Sequence, residues 1–282
     1  MIELADELKD RFSEANTFDE VMALEGDVYR AKEGRRTLLF EHGGREYFAK
    51  IHSGIGWGEI WKNLTRFRLP VTDASNEWKA VDLLEKSGVE TVQIVGKGVR
   101  GSNPAKIESF VIMRALDERV EVEDFLKDFG GLTGPGRLRL KRNIIRKVAD
   151  AAKRMHGAGM NHRDFYLCHF HIKDREWTGD ESEDEIRLPL IDLHRAQIRD
   201  SVPRRWLVKD LGALLFSAID CEITDRDWVA FLKVYLGPDW KKELRENEVL
   251  WRGVILRAKK FYGRHRGKTP TFPGVFEALL TR

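Results

Sequence analysis

Asp164, in the run His162-Arg163-Asp164, is the residue whose type and setting point most directly to chemistry. A carboxylate presented from a polar loop can take the proton of an attacking hydroxyl, as a base does in phosphoryl transfer. Further on, Asp192 ends the apolar run Leu190-Ile-Asp. There it could hold Mg²⁺ against a polyphosphate, because hard cations prefer oxygen ligands. Earlier in the chain, Lys50 lies in the alternating run Tyr47-Phe-Ala-Lys-Ile, and Glu77 opens the helical pattern that follows. A lysine projecting from that strand could neutralise nucleotide phosphates, with the glutamate fixing its position. Taken singly, each residue has an ordinary structural reading. Strand lysines mostly face solvent, glutamates suit first helical turns, and aspartates cap turns.

The elements needed to position these groups are present in order. Three strand-like runs, Gly26–Ala31, Arg36–Glu41 and Glu46–Ile51, are separated by turn signals at Lys32–Gly34 and Gly43-Gly44, which predicts an antiparallel meander. Residues 53–74 read as an irregular segment. A helix capped by Ser75 or Asn76 runs to Lys86 and stops at Gly88. Strands follow at Thr91–Lys97 and Ile107–Arg114. The second half is mainly helical: Val122–Phe129, Arg137–His156, and stretches over 205–219, 225–236 and 239–262. A short strand at Leu188–Asp192 interrupts it. This is an α+β pattern. The order of strand lysine, helix glutamate, base aspartate and strand-end aspartate resembles the protein-kinase-like enzymes. The resemblance implies two lobes: an antiparallel five-stranded N-lobe with one helix over 25–116, and a mainly helical C-lobe over 117–282. A helical extension over 1–24 precedes them.

Two features depart from that pattern. No Gly-x-Gly-x-x-Gly loop joins the first two strands, so phosphate cradling is either looser or uses Arg35 and Arg36. Arg35 and Met113 join Lys50 and Glu77 as candidate ATP-binding residues. The second departure is His169, which stands five residues after Asp164, where a protein kinase has a metal-binding asparagine. With Asp192 it is a candidate metal ligand, although imidazole suits Mg²⁺ poorly. A hydrogen bond to Asp164 is the other role open to it. His162 and Arg163 complete the candidate catalytic loop. Asp210, at the start of an amphipathic run, is either a brace for that loop or a helix first-turn acid.

The chain has 282 residues, 42% hydrophobic and 34% charged, enough for a large core. No apolar run is long enough to span a bilayer, and the N-terminus lacks a signal-peptide pattern, so a cytoplasmic protein is expected. Two cysteines, Cys168 and Cys221, are too few for a disulfide framework. The net charge of +3 hides basic clusters at 137–147 and 264–268. No motif of a nucleic-acid binder accompanies them. The acidic stretch Asp180–Glu185 reads as a solvated loop.

Asn161-His-Arg-Asp-Phe-Tyr-Leu-Cys-His-Phe170 sharpens the resemblance, because the lipopolysaccharide core heptose kinases (the WaaP or RfaP family) also carry a histidine at the asparagine position. Similarity to that family continues in Ile191-Asp-Leu-His-Arg-Ala-Gln197, Lys50-Ile-His-Ser-Gly-Ile-Gly-Trp-Gly-Glu59, Val28-Tyr-Arg and Gly34-Arg-Arg-Thr37, and Lys209-Asp-Leu211. It covers roughly residues 20–220. The resemblance implies transfer of the γ-phosphoryl of ATP, with Mg²⁺, to a heptose of the lipopolysaccharide inner core at the cytoplasmic face of the inner membrane. It also implies peripheral membrane contact and acyl carrier protein as a partner. Asp164 becomes the base, Asp192 the Mg²⁺ carboxylate, Lys50 the phosphate clamp and Glu77 its partner. Trp57 and Trp61 could stack on sugar rings or pack beneath the loop, and His194 and Arg195 could sense acceptor charge. Two alternatives stay open: a kinase of the same fold acting on another acceptor (Kdo, an aminoglycoside or a protein), and a pseudokinase that only binds.

Overall fold

Leu38 and Phe40, and Tyr47, Ala49 and Ile51, are buried in alternation with more accessible neighbours, so each run buries one face of a strand. In the computed structural model, which describes residues 1–32, 34–65 and 72–280, these runs belong to the first of two units. That unit comprises residues 1–82, 92–116 and 193–195. It contains strand β1 (Ile2–Leu4), helix α1 (Thr17–Met22), strands β2 (Asp27–Lys32), β3 (Arg35–His42) and β4 (Arg45–Ser53), and helices α2 (Gly56–Leu64) and α3 (Ser75–Lys86), the last turn of α3 grouping with the second unit. Strands β5 (Ile94–Arg100) and β6 (Glu108–Arg114) complete it. The sheet order is β1-β5-β6-β4-β3-β2, antiparallel throughout. Gly43 and Gly44 turn β3 into β4 with φ of 57° and 72°, the left-handed pair that a two-residue hairpin needs.

Two expectations for this unit are corrected. Residues 1–24 read as helical, yet Ile2–Leu4 is a strand paired with β5, which makes the sheet six-stranded rather than five-stranded. Local charge patterning suggested a helix there, but pairing with the β5 edge supplies backbone partners that a frayed helix would lack. Behind it, Leu8, Phe12, Phe18, Val21 and Leu24 join the core of Leu38, Tyr47, Ile51 and Phe110.

Residues 53–74 read as irregular, yet 56–64 form α2. Gly54 and Gly56, with φ of 85° and 72°, bend the chain into the helix instead of breaking it. Ile55 and Ile60 then pack with Ala105. Trp57 and Trp61 stay more than half exposed, at 53% and 63%, so they are not packing residues. Glu33 of the first expected turn and residues 66–71 of the expected irregular segment lie outside the described residues.

The second unit comprises residues 83–91, 117–192 and 196–282. It is mainly helical, as expected, with strand β7 (Arg119–Glu121), helices α4 (Val122–Asp128) and α5 (Gly134–Gly157), and strands β8 (Met160–Asn161), β9 (His171–Lys173) and β10 (Gln197–Ile198). Helices α6 (Arg204–Ala218), α7 (Asp225–Leu236), α8 (Trp240–Glu246), α9 (Glu248–Arg266) and α10 (Gly274–Leu280) follow. Ile144, Val148, Ala152 and Met155 form the buried stripe of α5. The strand expected at Leu188–Asp192 is reduced to single bridges from Leu190 to Thr91 and Phe170.

The acidic stretch is not simply solvated. Glu183 pairs with Arg146 at 2.9 Å, Asp180 pairs with Arg139, and a capping box closes Ser182 on Glu185. Part of the basic cluster on α5 is thus neutralised within the fold. Lys141 of the same cluster is buried against Asp227 at 2.9 Å. Cys168 and Cys221 are free thiols, and burial pushes both up to about 12.

Candidate active site

Lys50 sits mid-strand in β4, between Thr37 of β3 and Val111 of β6. Both neighbouring strands fix its backbone. Its Nζ donates to Glu77 Oε1 at 2.6 Å, and the Glu77 side chain is only 4% exposed. Glu77 lies in the first turn of α3. Hydrogen bonds from Ala74 N to Ser109 Oγ (2.9 Å) and from Ser75 N to Asp73 Oδ1 (2.7 Å) set the start of that helix. The pair joins a sheet centre to a capped helix start, so the ammonium is held on a rigid support.

Arg35 begins β3 opposite His52 of β4. Burial, and next the Arg35 charge, drive the His52 imidazole down to about 4, so it is neutral at pH 7. Met113 is buried on β6 in a cluster with Ala74, Trp78 and Val111. Its side chain packs beneath α3. Asn76 Nδ2 donates to the His194 carbonyl at 3.0 Å.

In the second unit, α5 ends and the chain turns at Gly159 (φ 79°), where a Cβ would lie 1.8 Å from the Arg199 carbonyl oxygen. Only glycine fits there. The turn delivers β8, which pairs with β10, and the His162-Arg163-Asp164 loop follows at once. Asp210 of α6 is fully buried. Its Oδ2 accepts the backbone N–H of His162 at 2.6 Å, and its Oδ1 accepts that of Arg163 at 2.8 Å. Charge-assisted bonds of this kind are the strong ones, and they hold Arg163 at φ 77°, a left-handed conformation that a non-glycine residue does not adopt unsupported. Asp210 therefore braces the loop, which settles the two roles left open for it.

Around this brace stand groups that the sequence did not single out. His156 Nδ1 shares a hydrogen bond with the Tyr235 hydroxyl at 2.9 Å, and its Nε2 lies 3.5 Å from Asp210 Oδ2. Leu167 N donates to Ser217 Oγ at 2.9 Å. These partners come from α5, α6 and α7, far apart in the chain, so no local spacing announces them.

His162 is fully buried and donates from Nε2 to the Ile191 carbonyl at 2.9 Å. Burial pushes its imidazole down, which keeps it neutral. His162 is thus a strut joining the loop to the Asp192 segment rather than a proton carrier. His169 stacks on His162 at 5.4 Å and donates from Nδ1 to the backbone carbonyl of Asp164 at 2.6 Å, not to its carboxylate. His169 Nε2 lies 3.9 Å from Asp192 Oδ2. Asp192 itself has φ 62°, and its side chain is about a third exposed, at 35%.

Among the described residues, no three His, Cys, Asp or Glu groups are arranged to hold a metal ion. Mg²⁺ usually needs only one or two carboxylates, taking its other ligands from substrate phosphates and water. The Asp192 environment fits that habit. The second unit thus brings together Asp164, His162, Arg163, His169 and Asp192, and the first brings together Lys50 and Glu77.

The model of the lipopolysaccharide kinase (Kdo/WaaP) family matches residues 19–235. The chain is similar to the lipopolysaccharide core heptose(I) kinase WaaP of Pseudomonas aeruginosa, with 46% identity over 247 residues that span 88% of this chain and 90% of the relative. It is also similar to the WaaP of Escherichia coli K12, 41% identical over 268 residues, 95% of this chain and 99% of the relative. A solved structure of WaaP in complex with acyl carrier protein matches with a TM-score of 0.76 at 39% identity. The match covers 93% of this chain and 99% of the solved one.

Proposed function

This chain belongs to the lipopolysaccharide kinase (Kdo/WaaP) family, and we propose that it moves the γ-phosphoryl of ATP onto a heptose hydroxyl of the lipopolysaccharide inner core. It is a phosphotransferase with an alcohol acceptor and a protein-kinase-like fold, and residues 25–116 and 117–282 serve as its two lobes. The observation that carries the reading is the ion pair of half-buried Lys50 with buried Glu77 at 2.6 Å. A lysine ammonium anchored by a buried carboxylate is a positive charge held in place to meet phosphate oxygens. Asp164 accepts the heptose hydroxyl proton from a loop fixed by Asp210. Arg35 adds positive charge beside the phosphates, and Met113 supports the nucleotide from below. Mg²⁺, held by Asp192 with His169 beside it, would neutralise charge on the transferring and leaving oxygens.

Incubation of the purified chain with ATP and defined core oligosaccharides tests this, with phosphate expected on a heptose. Phosphate on Kdo alone would favour the other-acceptor reading. In the same assay Lys50→Met, combined with Glu77→Gln so that no buried charge is stranded, is expected to lower kcat/KM for ATP by about 10²-fold. Unchanged ATP kinetics would remove Lys50 from the phosphate site.

The acceptor is lipid-linked, so the reading places the enzyme at the cytoplasmic face of the inner membrane. Among the described residues no helix is long and apolar enough to cross a membrane. Helix α2 instead exposes Trp57, Trp61 and Leu64, four and three residues apart and so on one face, the character of a helix that rests at a lipid interface. Acyl carrier protein, the partner of the solved relative, is an acidic protein. A groove of about 520 Å³ between α5 and α7, lined by Arg142, Arg226 and Lys233 with Asp225 and the Glu183-paired Arg146, over Val229 and Val234, carries net positive charge that would suit it. Sedimentation with phospholipid vesicles and co-purification with acyl carrier protein are the measurements that bear on these two contacts.

A further inference from the structure

Residues 249–276 carry seven lysines and arginines and no aspartate or glutamate. Most of these cations lie on α9, whose two sides differ in character. Trp251, Val254, Ile255, Ala258 and Tyr262 are buried. By helical spacing, Val249, Arg252, Leu256, Lys259, Lys260 and Arg264 fall on the opposite side. Val249 and Leu256 are 71% and 54% exposed, and Lys259, Lys260 and Arg264 are exposed as well. Gly267 closes the helix at φ 67°, its N–H donating to the Gly263 carbonyl at 3.0 Å. Exposed Lys268 follows at once.

Three of the seven cations are used within the fold. Arg252 pairs with Glu248 at 3.6 Å, and Arg266 pairs with Asp220 at 3.1 Å. Arg257 lays its stem on Gly212 of α6 and its guanidinium 4.5 Å from the Phe261 ring centroid. Among the described residues no carboxylate pairs with Lys259, Lys260, Arg264 or Lys268. The helix dipole favours a cation in the last turn, which accounts for Arg264. It does not reach Lys259 and Lys260, and it gives no reason for Val249 and Leu256 to stay uncovered.

We propose that the outer face of α9 docks on an anionic phospholipid surface, with Lys259, Lys260, Arg264 and Lys268 as its charges and Val249 and Leu256 as its apolar contacts. Charge complementarity gives the partner's sign, and shape gives its class. The face is the convex side of a 19-residue helix, about 28 Å long, which suits a plane. Aliphatic residues among cations fit the boundary between headgroups and acyl chains. Lysine stems can lie along that boundary while their ammonium groups meet lipid phosphates. The groove between α5 and α7 is concave and holds Asp225 among its cations, a setting for a protein partner instead. The α9 contact also differs from that of α2, since aromatic insertion depends little on lipid charge. The proposal rests on the reading of the acceptor as lipid-linked, which is what calls for a membrane.

The test is the full chain with Lys259→Gln, Lys260→Gln and Arg264→Gln, exposed positions where glutamine keeps the helix. Sedimentation with vesicles of phosphatidylethanolamine and phosphatidylglycerol reads the contact without any kinase activity. The triple variant is expected to bind these vesicles about 10²-fold more weakly than wild type, about fivefold per charge. Wild-type binding should fall steeply with salt, and that of the variant much less. On vesicles of phosphatidylcholine alone the two should bind equally. Lys259→Arg, Lys260→Arg and Arg264→Lys together keep the charge and should keep the binding. Equal binding of wild type and triple variant to the anionic vesicles would overturn the proposal. Unchanged vesicle binding with loss of acyl carrier protein would give the face to an acidic protein and overturn it too.

Kinase assays separate this contact from the functional reading. On free core oligosaccharide the triple variant should keep the wild-type kcat and KM. On acceptor embedded in anionic vesicles its rate should fall about tenfold or more. An equal fall on both acceptors would remove the lipid contact as the cause. A wild type that phosphorylates no heptose would defeat the functional reading and leave the vesicle result standing.

Discussion

Asp164→Asn is expected to lower kcat by about 10²–10⁴-fold while the protein keeps its fold and its affinity for ATP. The substitution keeps the size of the side chain and removes its ability to take a proton. The contacts that shape the loop run through its backbone: Tyr166 N and His169 Nδ1 donate to the Asp164 carbonyl oxygen at 3.0 and 2.6 Å, and Asp210 holds the two preceding amides. None of these requires the Asp164 carboxylate. Single-turnover kinetics with ATP and core oligosaccharide, beside a melting curve, separate loss of chemistry from loss of structure. A rate within tenfold of wild type in a folded variant would move the base elsewhere. It would also revive the pseudokinase alternative, whose prediction is that this residue does not matter.

Asp210→Ala is the second large effect, and here stability and activity fall together. The fully buried carboxylate accepts two backbone N–H groups and faces His156 at 3.5 Å. Each buried donor left without an acceptor costs about 1–3 kcal/mol, so the two together cost about 2–6 kcal/mol. Without the brace, Arg163 has no reason to stay at φ 77°, and Asp164 loses its alignment. Asp210→Asn keeps one acceptor oxygen and should fall between wild type and Asp210→Ala in both denaturant midpoint and kcat. An alanine variant as stable and active as wild type would show that the loop is held by other means.

The settings of the candidate site residues were the most legible part of this molecule, because the sequence displays each of them locally. Lys50 lies in a run of strict alternation, Glu77 just inside a capped helix, and Asp164 directly after a long amphipathic helix. The meander was legible for the same reason, since Gly43-Gly44 can hardly be anything but a tight turn. What sequence could not supply were features decided by distant partners. Ile2–Leu4 is a strand because β5 has an edge to offer. The Gly-rich start of α2 is helical because Ile60 finds Ile55 and Ala105. The run before Asp192 makes isolated bonds to Glu90, Thr91 and His169 rather than a strand ladder, and it turns at once into a left-handed residue. Likewise the role of Asp210 was open until its two amide partners were seen, and His156 and Tyr235 carried no sequence signal at all.

Everything in the functional reading converges on one product: a heptose carrying a phosphate that came from ATP. Mass spectrometry of the core oligosaccharide from host cells with and without this gene, the latter complemented by wild type or by Asp164→Asn, detects that product directly. A phosphate on an inner-core heptose is predicted in cells with the wild-type gene and in no others. Core oligosaccharides of identical mass in all the strains, or a missing phosphate restored equally by Asp164→Asn, would contradict it.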